Sequence, residues 1–566
     1  MHITDILNPL ISRRDFLKYS GQASLSVGLA PLASSIMNRE MIVANKAVRC
    51  INVVNFIRAI EPRFKTDLLL PVQKQMEIIK GCGLPATWLL QFDALVSGPF
   101  VQYLKDNMPA GHEVGFWFEM NEMHCKAAGV NWRGRPGFEW DHYPNVAFTI
   151  GYSPEERMKL ADTAMAEFKR IWGKYPKSVA SWNLDAITCA HLSDKYNVDA
   201  FAVCRDQIAT DGFTIWGSPI AGYYPGKTNC WSPAVDPKNQ INTPIFRMLG
   251  QDPVYYYNRE YTMPDGKRHS APDTMEPVWP SGQSPTFVKE FLKMISEAPT
   301  SQFAYAQLGQ ENSFPWNEQE PGYAPQMMAL AKLQKSGLVH VETMGDSGRR
   351  FKMAFKTTPV QAQVQLADSF GNMNPEEKSI WYQSKYYRAN LHFHGDLPFL
   401  RDITVYSDKF PQPFLTNATT ARDVEQKMPP VLDGYHWKKS GVEIGSGGFF
   451  VVDGKRLTIK GQPKITEDKN ILVVSFEVTG GKRLSVIFEQ KMITFDYGSA
   501  TGNLELSFEW DTTKSSLVEV NSQTAQYKFH ELDYSVRVST GRAELTSSGW
   551  KITGKDGVIM LGLSQT

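Results

Sequence analysis

The sequence predicts an α/β domain, a (β/α)7-type barrel, followed by an all-β domain built as an antiparallel β-sandwich. Between residues 46 and 348, apolar strand-like runs alternate with helix-like segments, which indicates a mostly parallel sheet. From 349 to 566 an alternation of period two dominates, which is typical of antiparallel sheets. No G-x-G-x-x-G motif follows the first strand, so a closed or nearly closed barrel is favoured over a dinucleotide-binding sheet.

Short apolar runs bounded by polar or turn residues predict the barrel strands. We expect these strands at residues 51–57, 86–92, 112–118, 178–184, 199–204, 245–249 and 303–308.

The connecting helices have clear start signals. Ser153, Pro154 and Glu156 form an N-cap, a first-turn proline and a capping-box acid, and Gly173 predicts where that helix ends. A second helix is predicted to begin after Ser284 for the same reason.

The C-terminal region shows strand alternation at 471–478 and 484–489, with Gly480-Gly481 as the turn between the two runs. These patterns predict the hairpins of the sandwich.

The composition excludes some partners. The 566 residues contain 60 Lys and Arg against 59 Asp and Glu, a net charge of +1, so neither nucleic acid nor an anionic membrane surface is indicated. The 14 Trp, 22 Tyr and 31 Phe fit either a large aromatic core or surfaces on which sugar rings stack.

Residues 12–18 (SRRDFLK) match the twin-arginine export signal. The apolar stretch that follows is too short and too polar for a stable membrane span. We therefore expect residues 1–45 to be a signal peptide and leader, read by the twin-arginine export machinery. The mature protein is expected in the periplasm or outside the cell, without a membrane span.

Acidic residues follow most of the predicted barrel strands, and in such barrels the ends of the strands carry the chemistry. Cleavage of a glycosidic bond needs two carboxylates, one to protonate the leaving oxygen and one to attack or to activate water. We predict Glu119 and Asp185 as this pair, because each follows a strand that contains Trp and burial beside an indole suits a carboxyl group to act as an acid. Either residue could be the acid. Three further candidates are Glu61, Asp206 and Glu311.

Arginine and tryptophan side chains near the same strand ends are candidates for binding an oligo- or polysaccharide. The arginines could instead pair with the carboxylates, and some tryptophans could be core residues. The substrate-binding candidates are Arg58, Arg63, Arg205, Asp252, Trp117, Trp182 and Trp216.

Residues 84–88 (LPATW) and 111–115 (GHEVG) resemble the P-A-T-F-F and G-H-E-I-G motifs of the polysaccharide deacetylase and glycoside hydrolase superfamily, whose fold is a seven-stranded (β/α) barrel. The deacetylases of that superfamily carry an Asp-Asp pair after the first strand and an H-[ST]-x-x-H ligand set after the second motif. Here Ile57-Arg58 and residues 117–121 (WFEMN) stand at those places, and these side chains do not supply the ligands of a divalent metal. The resemblance therefore implies a hydrolase without a metal or other cofactor, similar in architecture to glycoside hydrolase family 57.

Two alternatives stay open from the sequence. One is a carbohydrate deacetylase or other hydrolase with a relocated metal site, for which the candidate ligands are His124, Cys125, His142, His392 and His394. The other is a non-catalytic glycan-binding protein on a degenerate barrel.

Overall fold

The computed structural model describes most of the chain from Ala47 to Gln565. The residues outside the description are 1–46, 206, 211–212, 218–219, 221, 249–259, 263–267, 271–273, 367–376, 499–502 and 566. Among the described residues, no helix is long and apolar enough to cross a membrane.

A parallel sheet forms the first half of the described chain and confirms the predicted barrel. Its strands β1 to β7 are, in order, Val48–Ile57, Thr87–Leu90, Glu113–Trp117, Ser178–Ala180, Ala200–Cys204, Ile245–Met248 and Phe303–Leu308. Neighbours pair in the order β7-β1-β2-β3-β4-β5-β6, and the short strand His340–Val341 also pairs with β1. Because no hydrogen-bonded ladder joins β6 to β7 in the described residues, the barrel is nearly closed rather than closed.

Helices connect these strands and surround the sheet. They are, in order, Leu69–Cys82 (α1), Phe92–Val96 (α2), Gly98–Asn107 (α3), Glu122–Ala127 (α4), Pro144–Ala147 (α5), Pro154–Trp172 (α6), Ala186–Tyr196 (α7), Pro280–Gln283 (α8), Pro285–Ser296 (α9), Trp316–Ser336 (α10) and Met344–Ala354 (α11). Ser153 and Glu156 form the predicted capping box of α6, and Gly173 ends this helix in a left-handed conformation. Ser284 accepts the N–H of Phe287 and caps α9.

Aromatic rings fill the barrel interior. Phe56 stacks on Trp117 with ring centroids 3.9 Å apart, and Phe246 stacks on Tyr305 at 4.7 Å. Helix α11 closes the end at which the strands begin and packs Phe351 among these rings. The interior is therefore a packed core, and a ligand can reach the barrel only at its ends.

Two antiparallel sheets form the second half of the described chain, as predicted. The first sheet runs Gln361–Gln365, Lys378–Gln383, Tyr387–His394, Leu397–Val405, Gly447–Val452, Leu504–Glu509, Gly549–Thr553 and Arg542–Thr546, with Pro430–Asp433 and Lys455–Arg456 paired beside it. The second sheet runs Ile459–Asp468, Ile471–Val478, Lys482–Phe488, Met492–Asp496, Val558–Gly562, Leu532–Thr540, Thr524–Phe529 and Leu517–Asn521.

The two sheets share one apolar core. Phe393 of the first sheet meets Phe476 of the second with ring centroids 5.5 Å apart, and Tyr382 stacks on Phe488 at 5.3 Å. These contacts follow from the alternation of apolar and polar residues along the strands, which turns one face of each sheet toward the other.

A small three-stranded sheet joins the first half of the chain to the second. The strands Gln207–Thr210 and Phe213–Ile215 form a hairpin after β5, and Val424–Gln426 pairs parallel to the second of them. A separate two-stranded antiparallel sheet consists of Glu260–Thr262 and Arg268–Ser270.

Candidate active site at the barrel mouth

The carboxyl ends of β1 and β7 lie side by side and bring Arg58 and Glu311 together. The amide side chain of Asn312 accepts the backbone N–H of Arg58 at 2.9 Å and donates to its carbonyl oxygen at 2.8 Å. Gly309 has φ 127°, and a Cβ there would overlap the carbonyl oxygen of Val54. The bend after β7 therefore requires glycine, and it places Glu311 over the end of β1.

Arg58 is the centre of a buried group of charges. Its guanidinium lies 2.8 Å from Glu311, 3.6 Å from Glu119 and 3.6 Å from Glu61. We call these four residues the mouth cluster. Arg58 and Glu119 are each 1% exposed, and Glu311 is 8% exposed. Burying several charges is costly unless they satisfy one another, so this arrangement requires the shared cation.

Trp140 covers the mouth cluster. Its ring lies 4.0 Å from the guanidinium of Arg58 and 4.7 Å from that of Arg63, both measured to the ring centroid. The indole N–H donates to Glu119 at 3.2 Å. Arg63 in turn holds Glu61 with two hydrogen bonds of 2.7 and 2.5 Å. The loop that carries Trp140 thus shields the ion pairs from water and fixes the carboxylate of Glu119.

Two acidic side chains at this end of the barrel have pKa values displaced in opposite directions. Burial raises the pKa of Asp93 to about 6, although the carboxylate accepts the backbone N–H of Ala59 at 2.8 Å. Burial also acts on Glu61, but the hydrogen bonds and charge of Arg63, together with the charge of Arg58, outweigh it and lower the pKa. Such divergent pairs are typical of sites that hold and release protons near neutral pH.

Two of the predicted tryptophans meet beneath the mouth. Trp117 is fully buried in the barrel core against Phe56, which leaves it no exposed face for a ligand. Trp182 stands edge-on to Trp117 at 5.2 Å, just beyond the end of β4, and is only partly buried. Of the two, Trp182 is the ring that a ligand at the mouth could touch.

Asp185 occupies a different environment. Its carboxylate accepts the N–H and the hydroxyl of Thr188, at 3.0 and 2.6 Å, and so caps α7. It also pairs with the buried Arg157 at 3.2 Å, whose guanidinium donates to the carbonyl oxygens of Phe414 and Leu415. In the described part of the chain these contacts hold α7 against other segments, and none of them involves the mouth cluster.

The remaining predicted residues lie apart from the mouth cluster or outside the described residues. Arg205 follows β5 and donates to Gln363 of the first antiparallel sheet at 2.5 Å. Trp216 donates to Glu425 at 3.2 Å, beside the same sheet. Asp206 and Asp252 lie outside the described residues. The predicted residues that the structure brings together are Arg58, Glu61, Arg63, Glu119 and Glu311.

The mouth cluster does not fit a hydrated divalent metal ion. Such an ion needs several oxygen or imidazole donors directed at one point. Here the guanidinium of Arg58 already occupies the place between the three carboxylates. No chemical step is therefore assigned to a metal at this site.

The residues considered for a relocated metal site are held in other ways. The ring of His124 stacks on Phe92 at 4.5 Å, its Nε2 lies 2.9 Å from a backbone oxygen, and burial lowers its pKa to about 4. His392 and His394 share the carboxylate of Glu377, at 2.5 and 2.6 Å. Cys125 contacts the hydroxyl of Tyr152 at 3.5 Å, and His142 lies 3.7 Å from Asp141. Within the described ranges, no group of three or more His, Cys, Asp or Glu residues could hold a metal ion.

Comparison with known proteins gives distant structural neighbours. No family model matches the sequence, and no curated protein matches it. A provisionally assigned glycoside hydrolase/deacetylase from Parabacteroides distasonis aligns with a TM-score of 0.49 and 16% identity, over 67% of this chain and 91% of its own. Two provisionally assigned polysaccharide deacetylases also align. The one from Mycobacterium smegmatis has a TM-score of 0.33 and 11% identity, over 55% of this chain and 92% of its own. The one from Pseudomonas aeruginosa PAO1 has a TM-score of 0.34 and 10% identity, over 55% of this chain and 94% of its own.

At these identities and TM-scores the likeness assigns no activity, so the chemistry follows from the side chains themselves. Sequence reasoning did not select Trp140, Asp93 or Asn312 as site residues, although Asp93 and Asn312 follow predicted strands. Asp93 lies three residues beyond the end of β2, and Glu119 lies two residues beyond the end of β3, so the position after a strand is the signal that could have singled out Asp93. Trp140 lies in a glycine- and arginine-rich loop after α4, and only its position near the carboxyl ends of the strands points to the site.

Proposed function

We propose that the protein is a carbohydrate-active hydrolase that cleaves a glycosidic bond with two carboxylates and no metal. The observation that carries this proposal is the mouth cluster, in which one guanidinium nitrogen of Arg58 contacts both Glu119 and Glu311. Paired carboxylates at the carboxyl end of a parallel barrel are what glycoside hydrolysis requires.

The separation of the two carboxylates supports a retaining mechanism. One oxygen of Glu119 and one oxygen of Glu311 contact the same guanidinium nitrogen of Arg58, at 3.6 and 2.8 Å. These two oxygens are therefore no more than about 6.4 Å apart, the sum of the two distances. Retaining enzymes place their carboxyl groups about 5–5.5 Å apart, whereas inverting enzymes leave about 6.5–9.5 Å for a water molecule. This limit applies to the two oxygens that contact Arg58, and such a close approach supports the shorter separation of retaining enzymes.

The contacts of each carboxylate suggest its role. Glu311 makes the shorter ion pair with Arg58 and is the most exposed carboxylate of the mouth cluster, which suits a nucleophile that attacks the anomeric carbon. Glu119 is held by the indole N–H of Trp140 and lies against aromatic surface, which suits the acid and base. In this proposal Glu119 protonates the leaving oxygen, Glu311 forms the glycosyl ester, and Glu119 then takes a proton from the water that hydrolyses the ester.

The substrate is an oligo- or polysaccharide in this proposal. Trp182 offers a partly exposed indole just beyond β4, and a pyranose ring packs well on such a surface. Arg63 is about one third exposed and could bind sugar hydroxyl or carboxylate groups while it holds Glu61.

The test is turnover on a panel of aryl glycosides and of natural oligosaccharides. Glu311→Gln and Glu119→Gln keep the size of each side chain and remove its charge, and each is expected to lower kcat by about 10³-fold. The matched control is Glu342→Gln at the opposite end of the barrel, which is expected to keep kcat within about threefold. A wild-type protein that binds a glycan of the panel without turnover is instead a binding protein, and this proposal is then wrong.

We further propose that the protein is exported through the twin-arginine pathway, on the support of the SRRDFLK motif at 12–18. Replacement of both arginines, Arg13→Lys with Arg14→Lys, is expected to leave the precursor inside the cell. Efficient export of this double variant would contradict the proposal.

A further inference from the structure

A cavity whose lining contains no residue of the mouth cluster lies where Trp216 meets the antiparallel sheets. Its volume is about 350 Å³. Trp216 is fixed there because its backbone N–H donates to Gln426 at 2.9 Å and its indole N–H donates to Glu425. The Thr524–Phe529 strand and the turn before Leu517–Asn521 also contribute lining residues. Cavities where several structural elements meet are common places for small ligands.

The polar lining of this Trp216 cavity is mainly cationic. Arg388, Lys427, His436 and Lys514 line it, against one carboxylate, that of Asp433. The other carboxylates that pair with these cations, which are Asp402, Glu425 and Asp511, do not line the cavity. Most of the acids that balance these cations are therefore absent from the cavity lining.

His436 is one of these cations at neutral pH. Its Nδ1 lies 2.6 Å from Asp433 and its Nε2 lies 2.8 Å from Glu425. Burial alone would lower the pKa of His436, but these two carboxylates outweigh it and raise the pKa to about 9. Both ring nitrogens then carry hydrogen and donate to these two carboxylates, so His436 contributes positive charge to the lining around neutral pH while both of its N–H groups are already used.

Aromatic side chains form much of the remaining wall, together with Met428 and Pro430. Trp216, Trp437 and Phe529 all line the cavity. The ring of Trp216 is held edge-on by His436, with centroids 5.1 Å apart, and Trp437 is held by Trp510 at 5.0 Å. Fixed aromatic walls beside cations are suited to a ring-shaped ligand that carries a negative group.

We propose that the Trp216 cavity binds an anionic sugar unit, carboxylated or sulfated, as a second saccharide site separate from the mouth cluster. The sugar ring packs against the aromatic wall, and the acidic substituent lies between Lys427 and Lys514, beside the positive charge of His436. The hydroxyl-bearing Thr404 and Ser516 also line the cavity and can bind sugar hydroxyl groups. The choice of a saccharide rests on the proposed function, whereas the preference for an anion rests on the lining alone.

The test is calorimetric titration of the full chain with three oligosaccharides: an oligogalacturonate, a sulfated neutral oligosaccharide and the same neutral oligosaccharide without sulfate. Lys427→Gln and Lys514→Gln are the cavity variants, and their side chains are 38% and 41% exposed, so loss of fold is not expected. Lys460→Gln is the matched control, since Lys460 is an exposed lysine of the second sheet outside the cavity. We expect the double cavity variant to weaken binding of the anionic ligand at least tenfold and the control to leave it unchanged.

The results separate this inference from the proposed function. The inference is supported if the carboxylated or the sulfated oligosaccharide binds and the double variant of Lys427 and Lys514 weakens that binding. The ligand that binds more tightly then shows whether the cavity prefers a carboxylate or a sulfate. Equal binding of the neutral sugar, no binding of any probe, or binding unaffected by the double variant overturns it. Glu311→Gln keeps the cavity intact. Anionic sugar that binds this variant through the two lysines, together with no turnover of any glycan of the panel by the wild type, contradicts the proposed function and leaves the inference standing.

Discussion

The two ends of the barrel both bury carboxylates, but they satisfy them differently. Where the strands begin, Glu342 receives three hydrogen bonds of 2.8 to 3.0 Å from Arg350 and another from Ser347 at 3.0 Å. Glu113 accepts the Ser178 hydroxyl and the backbone N–H of Gly345. At the mouth, Arg58 serves three carboxylates at once.

This difference supports the proposal that the mouth, and not the opposite end, carries the chemistry. At the end where the strands begin, which we call the lower end, each carboxylate accepts hydrogen bonds from its own set of donors. This is the arrangement expected of structural ion pairs. At the mouth, Arg58 holds several carboxylates close together beneath the ring of Trp140. These carboxylates can exchange a contact with Arg58 for a contact with a substrate. The predictions that follow test this contrast, from the largest expected effect to the smallest.

Removing the central cation of the mouth is expected to have the largest effect on stability. Arg58→Met leaves buried carboxylates without their shared partner and should lower the free energy of unfolding by roughly 3–5 kcal/mol. Arg350→Met at the lower end should cost about 1 kcal/mol, because Arg350 is about one third exposed. Urea unfolding of both variants measures the difference, and equal losses would contradict the contrast between the ends.

Asp185→Asn tests whether every acid at the carboxyl ends of the strands belongs to the site. Asparagine still caps α7 but gives up the charge paired with the buried Arg157, so we expect a loss of roughly 3 kcal/mol in stability. The kcat of the folded variant should stay within about threefold of the wild type. If Asp185→Asn instead loses as much kcat as Glu311→Gln, the result would support Glu119 and Asp185 as the catalytic pair, as predicted from the sequence.

The pH dependence of stability tests the environment of Asp93. The folded protein holds its proton up to about pH 6, whereas the unfolded chain releases it near 3.8, so this residue's contribution to stability falls as pH rises from about 4 to 6 and is constant above that range. Asp93→Asn cannot ionise, so relative to the wild type it should gain roughly 2 kcal/mol between pH 4 and pH 8. Urea unfolding at both pH values measures this gain. An identical pH profile for variant and wild type would show that Asp93 titrates normally.

The smallest effect is expected at the surface of the lower end. Arg349 pairs with Asp199 at 3.0 Å, but its side chain is 46% exposed. Arg349→Gln should therefore change the free energy of unfolding by less than about 1 kcal/mol and leave turnover unchanged. A loss of turnover in this variant, measured in the same glycoside assay, would mean that the lower end also takes part in the reaction.

The sequence predicted the architecture well because local patterns decide it. All seven barrel strands occur where apolar runs predicted them, and the capping box at Ser153 forms as expected. The alternation of period two likewise predicted antiparallel sheets beyond the barrel.

The site was predicted only in part, because side-chain partners depend on contacts between distant residues. Glu119 and Asp185 follow equivalent strands, yet a helix cap and Arg157 hold Asp185, while Arg58 holds Glu119. Arg157 lies on α6, and the strand pattern does not predict its contact with Asp185. Glu311 reaches the mouth because Gly309 and Asn312 join the ends of two strands that are about 250 residues apart in sequence.

Chemical rescue with azide is the most direct test of the central claim, that Glu119 and Glu311 act as a pair across a glycosidic bond. With an activated aryl glycoside, azide should restore turnover to both Glu311→Ala and Glu119→Ala. The glycosyl azide should have inverted configuration from the first variant and retained configuration from the second, because azide replaces the nucleophile in one and attacks the glycosyl ester in the other. Rescue of neither variant, or rescue of Asp185→Ala in place of one of them, would contradict the claim.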